Sequence, residues 1–131
     1  MSGRRRGKYG LAAALCLAAA PVWAQFSPPP APKLTGEALF RNHCATCHAL
    51  DASAPPRLGP NLAGIIGRKA GSAPGFHYSA GFAQAGFTWN AERLDAYLTN
   101  PDSLIPGAIM PYRQANPAIR SAIIEYLKGQ S

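Results

Sequence analysis

Apolar residues recur at helical spacing in three separate parts of this 131-residue chain. The clearest stripe consists of Ile119, Ile123 and Leu127, which lie four residues apart and would form one side of a helix. Asparagine and proline at 116–117 are a typical helix start, and the glycine after Lys128 is a typical stop. We therefore predict a C-terminal helix that ends at Lys128 and packs this stripe against another element.

Two earlier segments show the same kind of pattern. Thr35 is a suitable N-cap for a helix in which positions 39, 40, 43 and 44 fall near one side. Asn90 is a suitable N-cap for a second helix, Ala91–Thr99, in which two leucines and a tyrosine form the apolar side. Pro101 should stop this helix, because the residue before a proline disfavours the helical conformation.

The segment from Ala49 to Gln84 differs from these helices. It is rich in glycine and proline and shows no helical period, and the chain has no alternating strand pattern. We therefore predict an all-α domain with about three to five helices and long loops. Loops of this length in a small domain usually serve a function, and a large apolar cofactor between them would explain their presence.

The N-terminus carries a different signal. Basic residues at positions 4, 5, 6 and 8 precede an apolar run of twelve residues, 11–22, and the sequence PVWA stands at 21–24. This order is typical of a secretory signal peptide, and the run is shorter than the roughly 20 residues of a membrane-spanning helix. We predict a signal peptide over residues 1–24, a proline-rich linker over 25–33 and one folded domain over 34–131. An uncleaved N-terminal anchor is the alternative interpretation.

Removal of the signal peptide changes the charge and the cysteine count. The whole chain has a net charge of +7, but four of its 13 Lys and Arg residues lie in the signal peptide. Nine basic and six acidic residues remain, which gives a net charge of +3. They form no Lys/Arg stripe of the kind that would indicate nucleic-acid binding. Cys16 is also removed, so Cys44 and Cys47 are the cysteines of the exported protein.

The stretch HCATCH at positions 43–48 allows three chemistries. A zinc site needs further ligands, and no second cysteine pair or HxxxH accompanies this one. A thioredoxin-like redox pair expects a βαβ context, which the pattern does not predict. The third is covalent haem, in which Cys44 and Cys47 bond to the porphyrin and His48 ligates the iron, the usual meaning of CxxCH in an exported protein. We therefore predict haem c, with iron, as the cofactor.

The opposite side of the haem iron needs a second ligand. Met110 is the one methionine left after the signal peptide is removed, and it lies in an irregular segment between Pro106 and Pro111. A methionine that fills a core gap usually lies on a helix or strand, whereas a loop fixed by prolines can hold a thioether against iron. We predict His48 and Met110 as the axial ligands, with His77 as the rival for the sixth position.

Several short motifs occur together in a characteristic order. They are CATCH, GPNLAGIIGRKAG, FHYSAGF, TW, LDAYLTNP, IPGAIM and AIIEYLKG. With this order and spacing, the chain from Thr35 to Lys128 resembles the class I cytochromes c, most closely the mitochondrial type and its soluble bacterial relatives. The resemblance implies the small all-α fold of that family, one covalent haem c, and electron transfer rather than enzymatic catalysis.

The resemblance also implies roles for residues around the haem. The carbonyl of Pro60 would accept a hydrogen bond from the axial histidine and so fix its ring. By the same resemblance Arg68, Tyr78 and Trp89 would hydrogen-bond the haem propionates. Tyr97 would lie beside the methionine sulfur.

Departures from the family pattern concern the partner more than the cofactor. Ala108 and Ile109 stand where the mitochondrial pattern has a threonine and a lysine, and residues 102–103 replace two lysines. Phe82 stands where the family often has an asparagine. We therefore predict a weakly charged haem edge with an apolar rim that includes Ile105 and Ile109.

Together these features predict a periplasmic one-electron carrier. Its partners would be an upstream reductase or dehydrogenase and a downstream oxidase, reductase or photosynthetic centre, without nucleic acid, a small-molecule substrate or stable membrane insertion. A dedicated haem subunit of a periplasmic dehydrogenase complex is the nearest alternative. A haem peroxidase or a gas-sensing haem protein would need an open sixth coordination position on the iron. A peroxidase would also need a distal acid–base group, and His77 is the residue available for that role.

Overall fold

The computed structural model describes residues 34–130. Within this range the α-helices are α1 (Gly36–His43), α2 (Ala91–Thr99), α3 (Pro101–Leu104) and α4 (Pro117–Lys128). A 3₁₀ helix covers Ala80–Gln84. The predicted signal peptide, the linker and Cys16 lie outside the described residues, as does Ser131.

Three of these α-helices begin at the caps that the sequence predicts. The side chains of Thr35, Asn90 and Asn116 each accept a hydrogen bond from a backbone N–H of the first turn, at 3.2, 2.8 and 2.9 Å. Such caps satisfy N–H groups that have no partner within the helix. The predicted bounds of α2 and the predicted end of α4 at Lys128 are confirmed.

Helices α1 and α4 approach each other closely at Gly36. A Cβ atom on this glycine would lie 2.8 Å from Cβ of Tyr126 and even closer to the carbonyl oxygen of Ala122, so no larger residue fits without movement. The ring of Phe40 packs on the ring of Tyr126, with centroids 5.8 Å apart. The predicted stripe of α4 contributes Ile123, which is fully buried.

Two short helices lie where the sequence predicts none. Pro101 does stop α2 at Thr99, but it is also the first residue of α3, where its missing N–H is not needed. The 3₁₀ helix Ala80–Gln84 lies at the end of the segment predicted to be a loop. Neither element is long enough to show an apolar period.

No β-strand occurs within residues 34–130, so the prediction of an all-α domain is confirmed. An isolated antiparallel bridge pairs Lys69 with Thr88. Backbone hydrogen bonds around it connect residues 67–70 with 87–89 and tie the glycine-rich loop to the segment before α2. None of the described helices is both long enough and apolar enough to span a membrane.

Arg120 joins three parts of the fold from its buried position on α4. Its guanidinium donates to both carboxylate oxygens of Asp95 on α2, at 2.7 and 3.3 Å. It also donates to the carbonyls of Gln114 and Ala115, at 2.9 and 3.1 Å. The N–H of Gln114 in turn donates to Leu98 on α2 at 2.8 Å. These bonds satisfy a buried charge and hold the segment before α4 against α2.

Candidate functional site

A cavity of about 310 Å³ lies between the helices and the loops, and most of its wall is apolar. The structure brings together here all nine residues that the sequence singles out for cofactor binding. They are Cys44, Cys47, His48, Pro60, Arg68, Tyr78, Trp89, Tyr97 and Met110. His77, the rival axial ligand, is exposed and does not line this cavity.

Cys44 and Cys47 lie in a turn that continues directly from α1. The N–H groups of Cys47 and His48 both donate to the carbonyl of Cys44, at 3.0 and 2.9 Å, which places these residues on one wall of the cavity. The two cysteines form no disulfide, and burial, followed by the neighbouring Cys47, raises the pKa of an unmodified Cys44 thiol to about 11. An unmodified thiol with this pKa would be protonated at neutral pH.

The imidazole of His48 is oriented by a backbone carbonyl. Its Nδ1 atom lies 2.7 Å from the carbonyl oxygen of Pro60. Because a carbonyl can only accept, Nδ1 carries the proton and Nε2 keeps a free lone pair in the neutral ring. Burial lowers the pKa of His48, against the opposing effect of the bond to Pro60, and therefore favours this neutral form. The ring thus has a nitrogen available for a metal.

Gly59 makes room for the ring of His48. A Cβ atom at this position would lie 2.7 Å from Nδ1 and 2.9 Å from Nε2, and closer still to Cε1. The N–H of Gly59 donates to the carbonyl of Cys47 at 2.8 Å. Close by, Nη1 of Arg57 donates to the carbonyl of Ala45 at 2.7 Å. The segment 57–60 is therefore fastened to the cysteine turn by several independent contacts.

Met110 reaches the same cavity from an irregular segment. Residues 105–108 form a tight turn, closed by a hydrogen bond of 2.9 Å from the last N–H to the first carbonyl. Pro106 and Gly107 occupy its centre, and Gly107 has a φ of 82°, the signature of a type II turn. Among the described residues, the next backbone hydrogen bond along the chain is made by Gln114. Met110 thus lies in a stretch whose backbone hydrogen bonds lie at its two ends.

Known proteins show the same sequence pattern over nearly the whole described region. The family model for cytochrome c matches residues 34–131. The chain is 40% identical over 101 residues to a cytochrome c of Sesamum indicum, an alignment that covers 76% of this chain and 91% of that protein. It is 37% identical over 113 residues to a cytochrome c2 of Rhodomicrobium vannielii, which covers 86% and 90%. The chain belongs to the cytochrome c family.

This cytochrome carries haem c, covalently bound and with iron, so the predicted cofactor is confirmed. The predicted class I cytochrome c fold is confirmed as well. The chemistry of the cavity fits this group. Its wall is apolar, two thiols three residues apart lie beside an imidazole with a free nitrogen, and a thioether reaches it from a separate segment.

Arg68 and Tyr78 make backbone contacts in addition to lining the haem cavity. The guanidinium of Arg68 donates to the carbonyls of Ala63 and Asn61, at 2.9 and 2.7 Å. Its pKa is lowered by burial, an effect that the nearby Tyr78 opposes. The hydroxyl of Tyr78 accepts a hydrogen bond of 3.2 Å from the N–H of Ala73. Both side chains keep unused donor hydrogens, so their predicted contacts with the haem propionates stay predictions.

Tyr97, Trp89 and Phe82 form an aromatic wall of the haem cavity. The ring centroids of Trp89 and Tyr97 are 5.1 Å apart, and those of Phe82 and Tyr97 are 6.2 Å apart, in edge-to-face arrangements that are favourable for aromatic pairs. Burial, followed by the nearby Tyr78, raises the pKa of Tyr97 to about 12. The phenol therefore stays neutral near pH 7, and this aromatic wall is uncharged.

Ser79 is a cavity residue that the sequence analysis did not single out. Its Oγ atom is buried and has no hydrogen-bond partner within residues 34–130. Leaving a buried hydroxyl unpaired costs about 1–3 kcal/mol, so an acceptor inside the cavity would stabilise this arrangement. No periodicity marks Ser79, and the available signal is a small polar residue directly after Tyr78.

The mouth of the haem cavity is apolar, but the exposed apolar residues around it are not all those that the sequence predicts. Ile109 is 79% exposed, as expected, whereas Ile105 is 1% exposed, so its prediction as a rim residue is wrong. Ile105 follows α3 directly and begins the tight turn, a position from which its side chain joins the hydrophobic core. Leu58, which is 80% exposed and lines the cavity beside His48, is a rim residue that the sequence analysis missed.

Proposed function

We propose that this cytochrome is a one-electron carrier of the periplasm whose haem iron is held by His48 and Met110. Its haem would be bonded through the thiols of Cys44 and Cys47. The observation that carries the proposal is that a single cavity contains both His48, with Nε2 available, and the thioether of Met110. An iron with two protein ligands offers no open position to a substrate, so we propose a carrier rather than an enzyme.

His48 would supply a ligand whose orientation is set by the protein. A ligating imidazole usually donates its other N–H to a carbonyl or carboxylate, which fixes the tautomer and the ring orientation. Pro60 accepts that bond at 2.7 Å, and Gly59 leaves space for the ring. Because these contacts do not depend on the charge of the iron, the histidine needs little movement when an electron arrives or leaves.

Met110 would supply the softer ligand. Haem provides the one-electron redox centre, and a thioether paired with histidine raises the reduction potential of that centre. The apolar wall, with its neutral Tyr97, adds to this effect because a poorly polar environment disfavours the extra positive charge of the oxidised state.

The polar edge of the haem would be bound by a separate group of residues. Arg68, Tyr78, Ser79 and Trp89 line the cavity and carry hydrogen-bond donors. We propose that they bind the propionates. The buried and unpaired hydroxyl of Ser79 supports this assignment, because a carboxylate is an acceptor.

The periplasmic location and the partners rest on the sequence. Residues 1–24 have the order of a secretory signal peptide, and covalent haem on CxxCH is typical of exported proteins. Redox proteins upstream and downstream would then be the partners. The mass of the holoprotein isolated from a periplasmic extract checks both cleavage after Ala24 and the location.

The axial ligands are tested by comparing Met110→Ala with Ile109→Ala. Ile109 is the neighbouring residue on the same segment but is exposed, so its replacement is a matched control. We expect Met110→Ala to keep its covalent haem, to lose the thioether-to-iron charge-transfer band and to bind carbon monoxide in the ferrous state. Its potential should drop by an amount on the order of 0.1 V, within the range of roughly 0.8 V that axial ligands span. Ile109→Ala should retain the wild-type charge-transfer band and should not bind carbon monoxide rapidly, because both readouts report on the ligand rather than on the cavity rim.

The same comparison identifies the alternatives. An unchanged band and potential in Met110→Ala would show that the methionine fills a gap and that another residue is the ligand. Rapid binding of carbon monoxide by the wild-type ferrous protein would instead favour a peroxidase or a gas sensor, because both need an open sixth position.

A further inference from the structure

The tight turn before Met110 has an N–H that the turn itself does not use. In a turn of this type, the hydrogen bond runs from the fourth residue to the first, here from Ala108 to Ile105 at 2.9 Å. The N–H of Gly107, at the third position, is left over. It donates instead to Oδ1 of Asp102 at 2.9 Å.

Asp102 is well placed to anchor this turn. It lies in α3, which is fixed to α2 through their shared residue Asn100, the C-cap of one helix and the N-cap of the other. The N–H of Ile105 also donates to Pro101, the first residue of α3, at 3.0 Å. The turn thus has one backbone bond and one carboxylate bond to α3.

The hydrogen bond from Gly107 to Asp102 lies where the chain turns towards Met110. Gly107 has a φ of 82°, in the left-handed region, and the chain changes direction there before it continues to Met110 three residues later. Downstream, the next described backbone hydrogen bond is made by Gln114, where Leu98 and Arg120 hold the chain. Loss of the Asp102 bond would therefore leave the methionine stretch with one fewer restraint at its upstream end.

We propose that Asp102 is a positioning residue for the axial methionine and holds the turn that sets the approach of Met110 to the iron. The inference rests on the proposed ligand role of Met110. A hydrogen bond between a carboxylate and a backbone N–H is stronger than a neutral one, which makes an aspartate effective at this position. Its removal should increase the fraction of time that the thioether is away from the iron, without changing covalent attachment of the haem.

The test compares Asp102→Ala with Asp102→Asn in the holoprotein. Both variants lose the same negative charge, but the asparagine keeps an oxygen that can accept from Gly107. Glu125→Ala is a second control, because it removes an exposed acidic side chain on α4. The readouts are the rate of carbon monoxide binding to the ferrous protein, the intensity of the thioether-to-iron band and the denaturant midpoint of global unfolding.

We expect Asp102→Ala to bind carbon monoxide about fivefold faster than the wild type, as expected for the loss of one net hydrogen bond. Asp102→Asn should lie within about twofold of the wild type, because a neutral hydrogen bond remains. Glu125→Ala should leave the binding rate unchanged.

Equal rates in the alanine and asparagine variants would overturn the positioning role, as would an alanine variant that binds carbon monoxide at the wild-type rate. If Asp102→Ala yields no folded protein, Asp102→Leu, which has a similar size but no acceptor, takes its place: a raised rate supports the role and a wild-type rate overturns it. If Met110 is not an iron ligand at all, the result differs from these outcomes, because the wild-type protein would then lack the thioether-to-iron band.

Discussion

The two sides of the haem cavity are built in different ways. On the histidine side, backbone hydrogen bonds of 2.8–3.0 Å connect residues 44–49 with one another and with 59–62, and the ring of His48 makes its own bond to a carbonyl. On the methionine side, the described backbone hydrogen bonds stop at Ala108 and resume at Gln114. His48 is fixed by hydrogen bonds around it, whereas the backbone hydrogen bonds of the Met110 segment lie at its two ends.

This difference suggests an order in which the two ligands would be lost. Segments with few hydrogen bonds open at a lower free energy than segments tied into the core. If both residues ligate the iron as proposed, we therefore expect the bond to Met110 to break before the bond to His48 under denaturant or at extreme pH. The following predictions test this contrast.

The largest effect is expected on the histidine side, where the proposed attachment cysteines lie. Replacing both Cys44 and Cys47 by alanine should prevent formation of stable holoprotein, because the long loops then have no cofactor to pack on and cofactor binding contributes to folding. Haem staining and limited proteolysis of periplasmic extracts measure this. Cys16→Ala is the matched control and should yield wild-type holoprotein, since Cys16 lies in the predicted signal peptide. A soluble, helical and protease-resistant apoprotein from the double variant would contradict the prediction.

A smaller effect is expected when the histidine ring is displaced. Gly59→Ala places a methyl group within 2.7 Å of Nδ1 of His48, so the ring must move and its bond to Pro60 is strained or lost. We expect a loss of about 3 kcal/mol in the free energy of unfolding, near the upper end for overpacking a site of this kind. Denaturant unfolding of the holoprotein provides the measurement.

Gly86→Ala is the control for this substitution. A Cβ atom at Gly86 meets no other atom within 4 Å, and the change should alter the free energy of unfolding by less than about 0.5 kcal/mol. Equal stabilities of Gly59→Ala and Gly86→Ala would mean that the residues around His48 move to accommodate the methyl group more easily than their hydrogen bonds indicate.

The smallest effect is expected at alkaline pH from Tyr97, which is predicted to lie beside the methionine sulfur. Because the pKa of Tyr97 is raised from its ordinary 10.0 to about 12, the unfolded chain loses this proton first as the pH rises. The free energy of unfolding of the wild type should therefore decrease between pH 10 and pH 12 by a contribution of at most about 2–3 kcal/mol. Tyr97→Phe lacks this contribution, so its stability should decrease less steeply. Parallel pH profiles of the two proteins, from denaturant titrations, would show that Tyr97 is not buried in the holoprotein.

Much of the fold follows from local signals in the sequence. Asn90 and Asn116 are strong caps, and the apolar side of each following helix faces the core, so α2 and α4 begin and end as predicted. Helix α3 is not predicted from the sequence, because Pro101 is equally suited to stop one helix and to start another. In such cases the outcome depends on contacts with the rest of the fold.

The candidate site likewise combines residues marked by local sequence patterns with residues whose positions depend on the whole fold. The spacing of the cysteines and His48 and the prolines around Met110 predict these residues as haem-binding, because the patterns are local, and the structure places all four in one cavity. Ile105 could not be placed correctly, since its burial depends on how the turn packs against the core. The bond from Gly107 to Asp102 likewise exists only once α3 and the turn have formed.

The exposed Leu58 and Ile109 at the mouth of the cavity have a consequence for how long a partner could stay. Complete burial of a side chain of this kind stabilises a complex by about 1.5–3 kcal/mol. Bringing two proteins together costs at least about 4 kcal/mol in lost freedom of motion. Two such contacts therefore hold a partner only weakly, and the pair separates soon after it forms. Rapid release suits a shuttle, because a molecule that lingers on its donor delays delivery to its acceptor.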